Sequence, residues 1–160
     1  MKKFIMFSLG LAIGAVSFAN ANEATSPQSS QIQPVAVLQV FDTSGKEPKL
    51  LKGNRLSRSK ARNVCVTVGN VVVEDNNLFA QYLQAPAAIE LEIPPEIAKI
   101  ESVEEKKNYL ISRNVVRAEM PNNQFMFCWK FDAKDPIGEY KLDTQFNNAI
   151  FKDLKFTIIK

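Results

Sequence analysis

The sequence contains no histidine, only two cysteines and a single tryptophan in 160 residues. Without an imidazole there is no Ser/His/Asp triad or Cys/His dyad, and most zinc sites are excluded because they use histidine as a ligand. Two cysteines are too few for a disulfide-dense miniprotein. The remaining composition, 46% hydrophobic and 23% charged residues, is typical of an ordinary folded domain.

A large excess of charge of one sign is also missing, with 20 Lys and Arg against 17 Asp and Glu.

Lys2 and Lys3 precede an apolar run at residues 4–18, and residues 19–21 read Ala-Asn-Ala, the pattern of a cleavage site. This order predicts a secretory signal peptide at residues 1–21. The alternative, a retained transmembrane anchor, needs a run of about 20 apolar residues, and this run is shorter.

Removal of the signal peptide leaves 139 residues with 18 basic and 17 acidic side chains. This balance gives no support for nucleic-acid binding through bulk charge. We expect the protein to be periplasmic or secreted in the cell envelope of a bacterium, with no membrane span after cleavage. Residues 22–33, NEATSPQSSQIQ, are too polar to order themselves and are expected to form a short flexible leader before one domain at residues 34–160.

In an oxidising compartment Cys65 and Cys128 have a single possible intramolecular pairing, so we expect a disulfide. It would close a loop of about 64 residues. In the chain-entropy model a loop of this length raises the free energy of unfolding by up to about 4 kcal/mol. The alternative, a reactive or metal-binding thiol pair, lacks both a C-x-x-C spacing and histidine.

The apolar residues after residue 33 form short runs broken by turn residues, which predicts a mostly β domain. Strands are expected at residues 35–41, 63–73, 78–84 and 87–93. Residues 94–107 fit either a short helical turn or two strands around a tip at 104–107, and the extended-backbone residues that follow favour the strands. Three C-terminal strands are expected to turn their apolar side chains inward at Phe125, Phe127, Trp129, Phe131, Tyr140, Leu142, Phe146, Leu154, Phe156 and Ile158.

The run DAKDPIGEYKLDTQFNNAIFKDLKFTI, residues 132–158, resembles the last two strands of bacterial immunoglobulin-like domains. The shared features are an acidic residue and a glycine before Tyr140, then alternating residues, a turn and a final apolar strand. The resemblance implies an all-β, immunoglobulin-like antiparallel β-sandwich in which Tyr140 occupies a corner and bonds nearby backbone. A likeness of this kind concerns architecture and does not imply a function.

The sequence departs from that family at Leu142, where immunoglobulin domains carry a cysteine two residues after the corner tyrosine. In an immunoglobulin-like order the strands of Cys65 and Cys128 would be strands B and E, which are neighbours in one sheet. The resemblance therefore implies a cross-strand disulfide on an outer face of the sandwich.

Three groups of polar residues are candidate sites. Ser57 and Lys60 match the S-x-x-K of penicillin-binding enzymes, but the companion motifs are missing and we expect no catalytic residue. Asp132, Asp135 and Glu139 could offer oxygens to Ca²⁺, yet a plain turn explains the same residues, so no metal and no cofactor is expected.

The third group is a basic loop at residues 52–62, which contains no acid and is the predicted partner-binding region. It is either a docking loop or a solvated loop between strands, and it could instead face the acids of residues 90–105 within the fold. The basic residues of the loop are Lys52, Arg55, Arg58, Lys60 and Arg62.

From these observations we expect a non-enzymatic exported binding module that acts by protein–protein interaction as an envelope or surface-assembly component. Its partner would be another envelope or secreted protein. The first alternative is a periplasmic inhibitor or immunity protein that blocks an enzyme or toxin, and the second is a small hydrolase that works without histidine.

Overall fold

The domain is built from strands because its apolar residues recur at every second position, which gives each strand one face to bury. The structure is a computed structural model that describes residues 33–160. The predicted signal peptide, and all but the last residue of the predicted leader, lie outside the described residues. The strands are β1 (Val35–Asp42), β2 (Lys49–Leu50), β3 (Arg55–Ser57), β4 (Arg62–Gly69), β5 (Asn76–Gln84), β6 (Lys99–Val103), β7 (Asn108–Val116), β8 (Phe125–Lys130), β9 (Gly138–Phe146) and β10 (Ala149–Ile159).

These strands form two sheets that stack as a sandwich, which confirms the predicted all-β sandwich. One sheet has four strands in the order β2-β1-β4-β8, and the other has six in the order β3-β10-β9-β5-β7-β6. Neighbouring strands are antiparallel, apart from β3, which runs parallel to β10. Within residues 33–160 the helical pieces are two single-turn 3₁₀ helices, Arg117–Glu119 and Pro121–Asn123.

The inner faces of the two sheets supply the core. The predicted inward residues of the three C-terminal strands are buried or half-buried in the structure, as expected. Aromatic rings join the sheets directly: the Phe79 centroid lies 4.8 Å from that of Phe125 and 5.2 Å from that of Phe127. Contacts of this kind are worth about 0.5–1.5 kcal/mol beyond the area they bury.

A buried polar chain also links the sheets. Trp129 of β8 donates from Nε1 to Oε1 of Gln81 on β5, 2.8 Å away. The Gln81 Nε2 then donates to Oγ1 of Thr144 on β9 at 3.1 Å. Because these side chains are buried, each group depends on its partner, and the chain specifies how the sheets face each other.

The disulfide joins β4 and β8 across the four-stranded sheet. Cys65 and Cys128 lie directly opposite each other, with their Cα atoms 4.0 Å apart and their sulfurs bonded. Both side chains point away from the core, which confirms the predicted cross-strand bond on an outer face. Cys65 is nevertheless only 2% exposed, because β4 lies between two strands, whereas Cys128 is exposed on the edge strand.

Tyr140 is held in a corner at the start of β9. Its Oη donates to the backbone oxygen of Pro136 at 2.8 Å, and its ring stacks on Phe156 with centroids 5.1 Å apart. Burial raises the pKa of the Tyr140 hydroxyl, so this group stays a donor at neutral pH. Gly138 opens the strand with φ of 145°, and a Cβ there would lie 2.9 Å from Pro86, so glycine is required.

Two strand predictions are wrong. Residues 87–93 form no strand: the amide of Ile89 donates to the oxygen of Lys106, and the Ile89 oxygen accepts from the Tyr109 hydroxyl. Prolines at residues 86, 94 and 95 lack the N–H that a ladder needs, although Ile89 is buried. The run predicted to extend to residue 73 ends at Gly69, because Asn70 turns the backbone with φ of 55°. By contrast, the strands expected on either side of residues 104–107 are β6 and β7.

We predict that removing the disulfide costs much of the stability of the domain. The variant Cys65→Ala/Cys128→Ala should lose up to about 4 kcal/mol of unfolding free energy in urea titrations, because the 63-residue separation no longer constrains the unfolded chain. The oxidised wild-type protein is the reference. An unchanged urea midpoint would show that the bond does not stabilise this fold.

We also predict that Gln81→Leu is destabilising by about 2 kcal/mol or more, since it leaves the Trp129 N–H and the Thr144 hydroxyl without their partner. Thr144→Val alone should cost about 1 kcal/mol. The double variant should lose less than the sum of the two, because the second change removes a stranded hydroxyl. Strictly additive losses would mean that the side chains do not act as one chain.

Candidate functional site

The predicted basic loop is not a single loop. Residues 52–54 form a bend, Arg55 lies in β3, residues 58–61 form a turn, and Arg62 begins β4. The expectation of one loop is corrected because residues 55–57 pair with residues 157–159 of β10. The five cations are therefore distributed over three kinds of local structure.

Two of these cations make contacts within the domain. Arg58 donates from Nη1 to the backbone oxygen of Asp135 at 2.6 Å. Arg62 is half-buried and lies opposite Asp42 in the register of β1 and β4. Hydrogen bonds from Ser44 lower the pKa of Asp42, and the nearby charges of Arg62 and Lys60 lower it further.

The exposed cations of residues 52–62 are Lys52, Arg55 and Lys60. Among the ion pairs of residues 33–160, none joins this segment to the acids of residues 90–105, as one alternative required. Those acids pair locally instead, Glu90 with Lys106 at 2.6 Å and Glu101 with Lys99 at 2.5 Å.

Ser57 has a structural environment. It is buried, its Oγ donates to the backbone oxygen of Lys160 at 2.8 Å, and it bonds the Ser59 hydroxyl at 2.9 Å. A nucleophilic serine needs an adjacent base, and neither a carbonyl oxygen nor a second hydroxyl is one. The Ser57 hydroxyl thus holds the end of the chain against β3.

The carboxylates considered for calcium cap a turn. The Asp132 amide donates to Oδ2 of Asp135 at 2.5 Å, and the Lys134 amide donates to Oδ1 of Asp132 at 2.7 Å. Glu139 points elsewhere, with an oxygen 3.6 Å from Nζ of Lys155. Burial raises the pKa of Asp135, which the Asp132 hydrogen bond partly opposes. In the part of the chain that the structure describes, no three Asp, Glu, Cys or His side chains are grouped to hold a metal.

Sequence reasoning missed a surface at the other end of the sandwich, where three connections meet. They are residues 70–75 between β4 and β5, residues 117–124 between β7 and β8, and the turn at 147–148 between β9 and β10. Val71 and Val72 line two concavities there, of about 340 and 290 Å³, shared with the second and the third connection respectively. We call this surface the Val72 end.

The Val72 end is apolar at its centre, and the side chains that line its two concavities are uncharged apart from Glu74. The other charged residues of the same connections, Asp75, Arg117 and Glu119, lie outside that lining. Val72 is 79% exposed. The exposed amide side chains that surround the two concavities belong to Asn70, Asn122, Asn123, Gln124 and Asn148. Glu74 is the charged residue of the lining.

Backbone geometry explains why the sequence places asparagine here. Asn70, Asn122, Asn123 and Asn147 all have positive φ, between 48° and 56°. Asparagine tolerates this conformation better than other residues with a side chain, so the tight turns select it. The side chains of Asn70, Asn122 and Asn123 are exposed there. The pattern Gly-Asn after an apolar run was the signal in the sequence that this run ends before Val72.

Hydrogen bonds fix the connections to one another. Asn147 donates from Nδ2 to the backbone oxygen of Val72 at 3.2 Å and to Oδ1 of Asn77 at 2.9 Å. Asn77 is buried, and its amide donates to the backbone oxygens of Glu74 and Val115. The exposed Val72 side chain is thus carried by a connection that is tied to the third connection and to β7.

Within residues 33–160 no helix is long and apolar enough to cross a bilayer.

Comparison with known proteins gives one family. The family described as PM0630 beta sandwich domain matches residues 36–159. The uncharacterized protein PM0630 of Pasteurella multocida (strain Pm70) is 41% identical over 162 aligned positions, which cover 100% of each chain. Both cysteines and all the strands, apart from the first residue of β1, lie within the matched range. This chain therefore belongs to the PM0630 beta sandwich domain family.

Proposed function

We propose that this protein is an exported, non-enzymatic binding module that contacts another envelope or secreted protein through the Val72 end. The observation that carries the proposal is the exposed Val72 side chain, surrounded by neutral amides and fixed by hydrogen bonds. Exposed apolar groups at loop ends of a rigid sandwich are favoured positions for partner contacts.

The chemistry of this surface suits a protein partner. Val72 can enter a small apolar pocket, and the amides around it can both donate to and accept from backbone groups of a partner. Asn147 already holds the connection that carries Val72 in place through hydrogen bonds. This connection would therefore lose little conformational freedom on binding, which lowers the entropic cost of the contact. Loop surfaces rich in asparagine serve the same purpose in antibody binding sites.

The proposal includes an immunoglobulin-like form of the sandwich. Three features support it: β4 and β8 are neighbours in one sheet, β10, β9 and β5 are neighbours in the other, and Tyr140 bonds Pro136 as a corner tyrosine does. In that fold the connections at one end of the sandwich form the binding surface of variable domains. The Val72 end has the corresponding place between β4 and β5 and between β9 and β10.

The environments of the candidate catalytic groups support a non-enzymatic role. The Ser57 hydroxyl is engaged with Lys160 and Ser59, and the Asp132 and Asp135 carboxylates cap a turn. With no histidine in the chain, no imidazole can serve as a general base. An inhibitor or immunity role is the second candidate, because Lys52, Arg55 and Lys60 are exposed cations that an acidic enzyme cleft could accept.

We predict that Val72→Glu abolishes capture of a partner from envelope extract by the immobilised, purified protein. A buried carboxylate without a counterion would cost several kcal/mol at an apolar contact, so retention should fall at least tenfold. The matched control is Leu110→Glu, which places the same charge at an exposed leucine on the six-stranded sheet. It should leave capture unchanged.

A second variant, Lys52→Glu/Arg55→Glu/Lys60→Glu, separates the two candidate roles. Loss of capture in this variant alone, with strong weakening by salt, would favour the inhibitor role and contradict the Val72 end. Hydrolysis of peptidoglycan or of a generic ester by the wild-type protein would overturn the non-enzymatic proposal.

Export predicts a processed chain that begins at Asn22. Intact-mass measurement of the protein recovered from the producing bacterium should give the 139-residue form, located in the periplasm or the medium. A full-length chain in the cytoplasmic fraction would contradict this. Disulfide formation between Cys65 and Cys128 is favoured in the same oxidising compartments.

A further inference from the structure

The outer face of the four-stranded sheet is unusually poor in charge. The side chains that point outward carry a single charge, that of Lys130, at one corner. Met126 and Val37 are 50% and 49% exposed, and Leu50 is 58% exposed. The outward residues, read from the strand register, are Val35, Val37, Gln39, Phe41, Leu50, Asn63, Cys65, Thr67, Gly69, Met126, Cys128 and Lys130.

The outer face of the other sheet has the opposite character. It carries charges of both signs on β6, β9 and β10, as expected for a solvated face. These are Lys99, Glu101, Glu139, Lys141, Asp143 and Lys155. The two faces belong to one chain of balanced charge, so the missing charge on the four-stranded sheet is a local property of that face.

We propose that this face packs against the same face of a second copy of the chain. Charge complementarity selects that occupant: a partner face must itself be nearly uncharged to bury here without stranding a charge, and this face meets the requirement. If the two-fold axis between the faces runs parallel to the strands, Lys130 lies opposite the Leu50 corner of the second copy. If it runs perpendicular to the strands, Lys130 lies opposite Met126 of the second copy. Neither arrangement brings the two ammonium groups together.

Once the proposed signal peptide is removed, the residues before β1 offer no alternative cover of matching chemistry. Residues 22–33 read NEATSPQSSQIQ, in which Ile32 is the one large apolar side chain. An apolar face of four strands is better matched by another apolar face, as in the aligned packing of two sheets about 10 Å apart.

The size of the face sets the strength of the contact. From Val35 to Phe41 it extends about 20 Å along β1, and four strands at about 4.8 Å spacing give it a width of about 15 Å. A face of these dimensions covers less than the area of about 800 Å² that each partner buries in a standard interface. The dimer is therefore weak, with a dissociation constant expected in the micromolar range, so that the monomer predominates in dilute solution.

The test is sedimentation equilibrium of the purified wild-type protein from about 10 to 500 μM. The average mass should rise towards, and not beyond, that of two copies. Val37→Glu should stay monomeric over the whole range, because in either arrangement it buries a carboxylate against the uncharged side chains of the second copy. Circular dichroism and a thermal melt check that each variant is folded.

Leu110→Glu is the matched control on the charged face and should dimerise like the wild type. Val72→Glu should also dimerise, so the failure of this inference is distinguishable from the failure of the proposed partner contact. In methyl NMR spectra the Met126 signal should shift with concentration while that of the buried Met120 stays fixed. A wild-type monomer at 500 μM, growth beyond two copies, or association unchanged by Val37→Glu would overturn the proposal.

Discussion

The alignment of β4 with β8 is the constraint on which the rest of the structure depends. Because side chains alternate along a strand, placing Cys65 opposite Cys128 turns three valines of β4 and the aromatic residues of β8 to the same inner face. A slip of β8 by one residue would turn its aromatic side chains to the outer face. The disulfide makes the slipped alignment inaccessible to the oxidised chain, and the bond from Trp129 to Gln81 then sets how this sheet meets the other.

The same alignment divides the surface into parts of different character. The outer side chains of β4 and β8 around the disulfide are uncharged apart from Lys130 at one corner. The connections at the Val72 end follow from the abrupt stop of β4 at Gly69, where Asn70 turns the chain. The opposite end holds the charged turns, including Asp132, Asp135 and the Arg58 contact. The proposed partner contact and the proposed dimer thus use separate surfaces. Both surfaces depend on how β4 pairs with β8 and on where β4 ends.

Alternation alone was sufficient to predict much of the architecture. It identified the inner residues of β8, β9 and β10, and residues that favour extended backbone identified the strands on either side of residues 104–107, because each of these signals is local. It failed at residues 87–93, where the side chains alternate but prolines and the bond between Tyr109 and Ile89 replace a ladder. The disulfide followed from there being two cysteines, while its place in one sheet followed from the family resemblance.

The candidate site was less predictable because it depends on contacts between distant residues. The cations of residues 52–62 are adjacent in sequence, yet Arg58 is drawn to Asp135, 77 residues away. Val72 sits at the end of an apolar run, so its pattern is that of a core residue. Its exposure results from the positive φ of Asn70 and the hydrogen bonds of Asn147, and neither can be read from composition or periodicity.

The pairing of β4 with β8 can be tested most directly in solution, by measuring nuclear Overhauser effects between α-protons of the oxidised protein. In an antiparallel pair the residues at the closely spaced positions bring their α-protons together. We expect strong effects between the α-protons of three residue pairs: Cys65 and Cys128, Asn63 and Lys130, and Thr67 and Met126. Effects displaced by one residue, such as Cys65 with Phe127, would contradict this pairing.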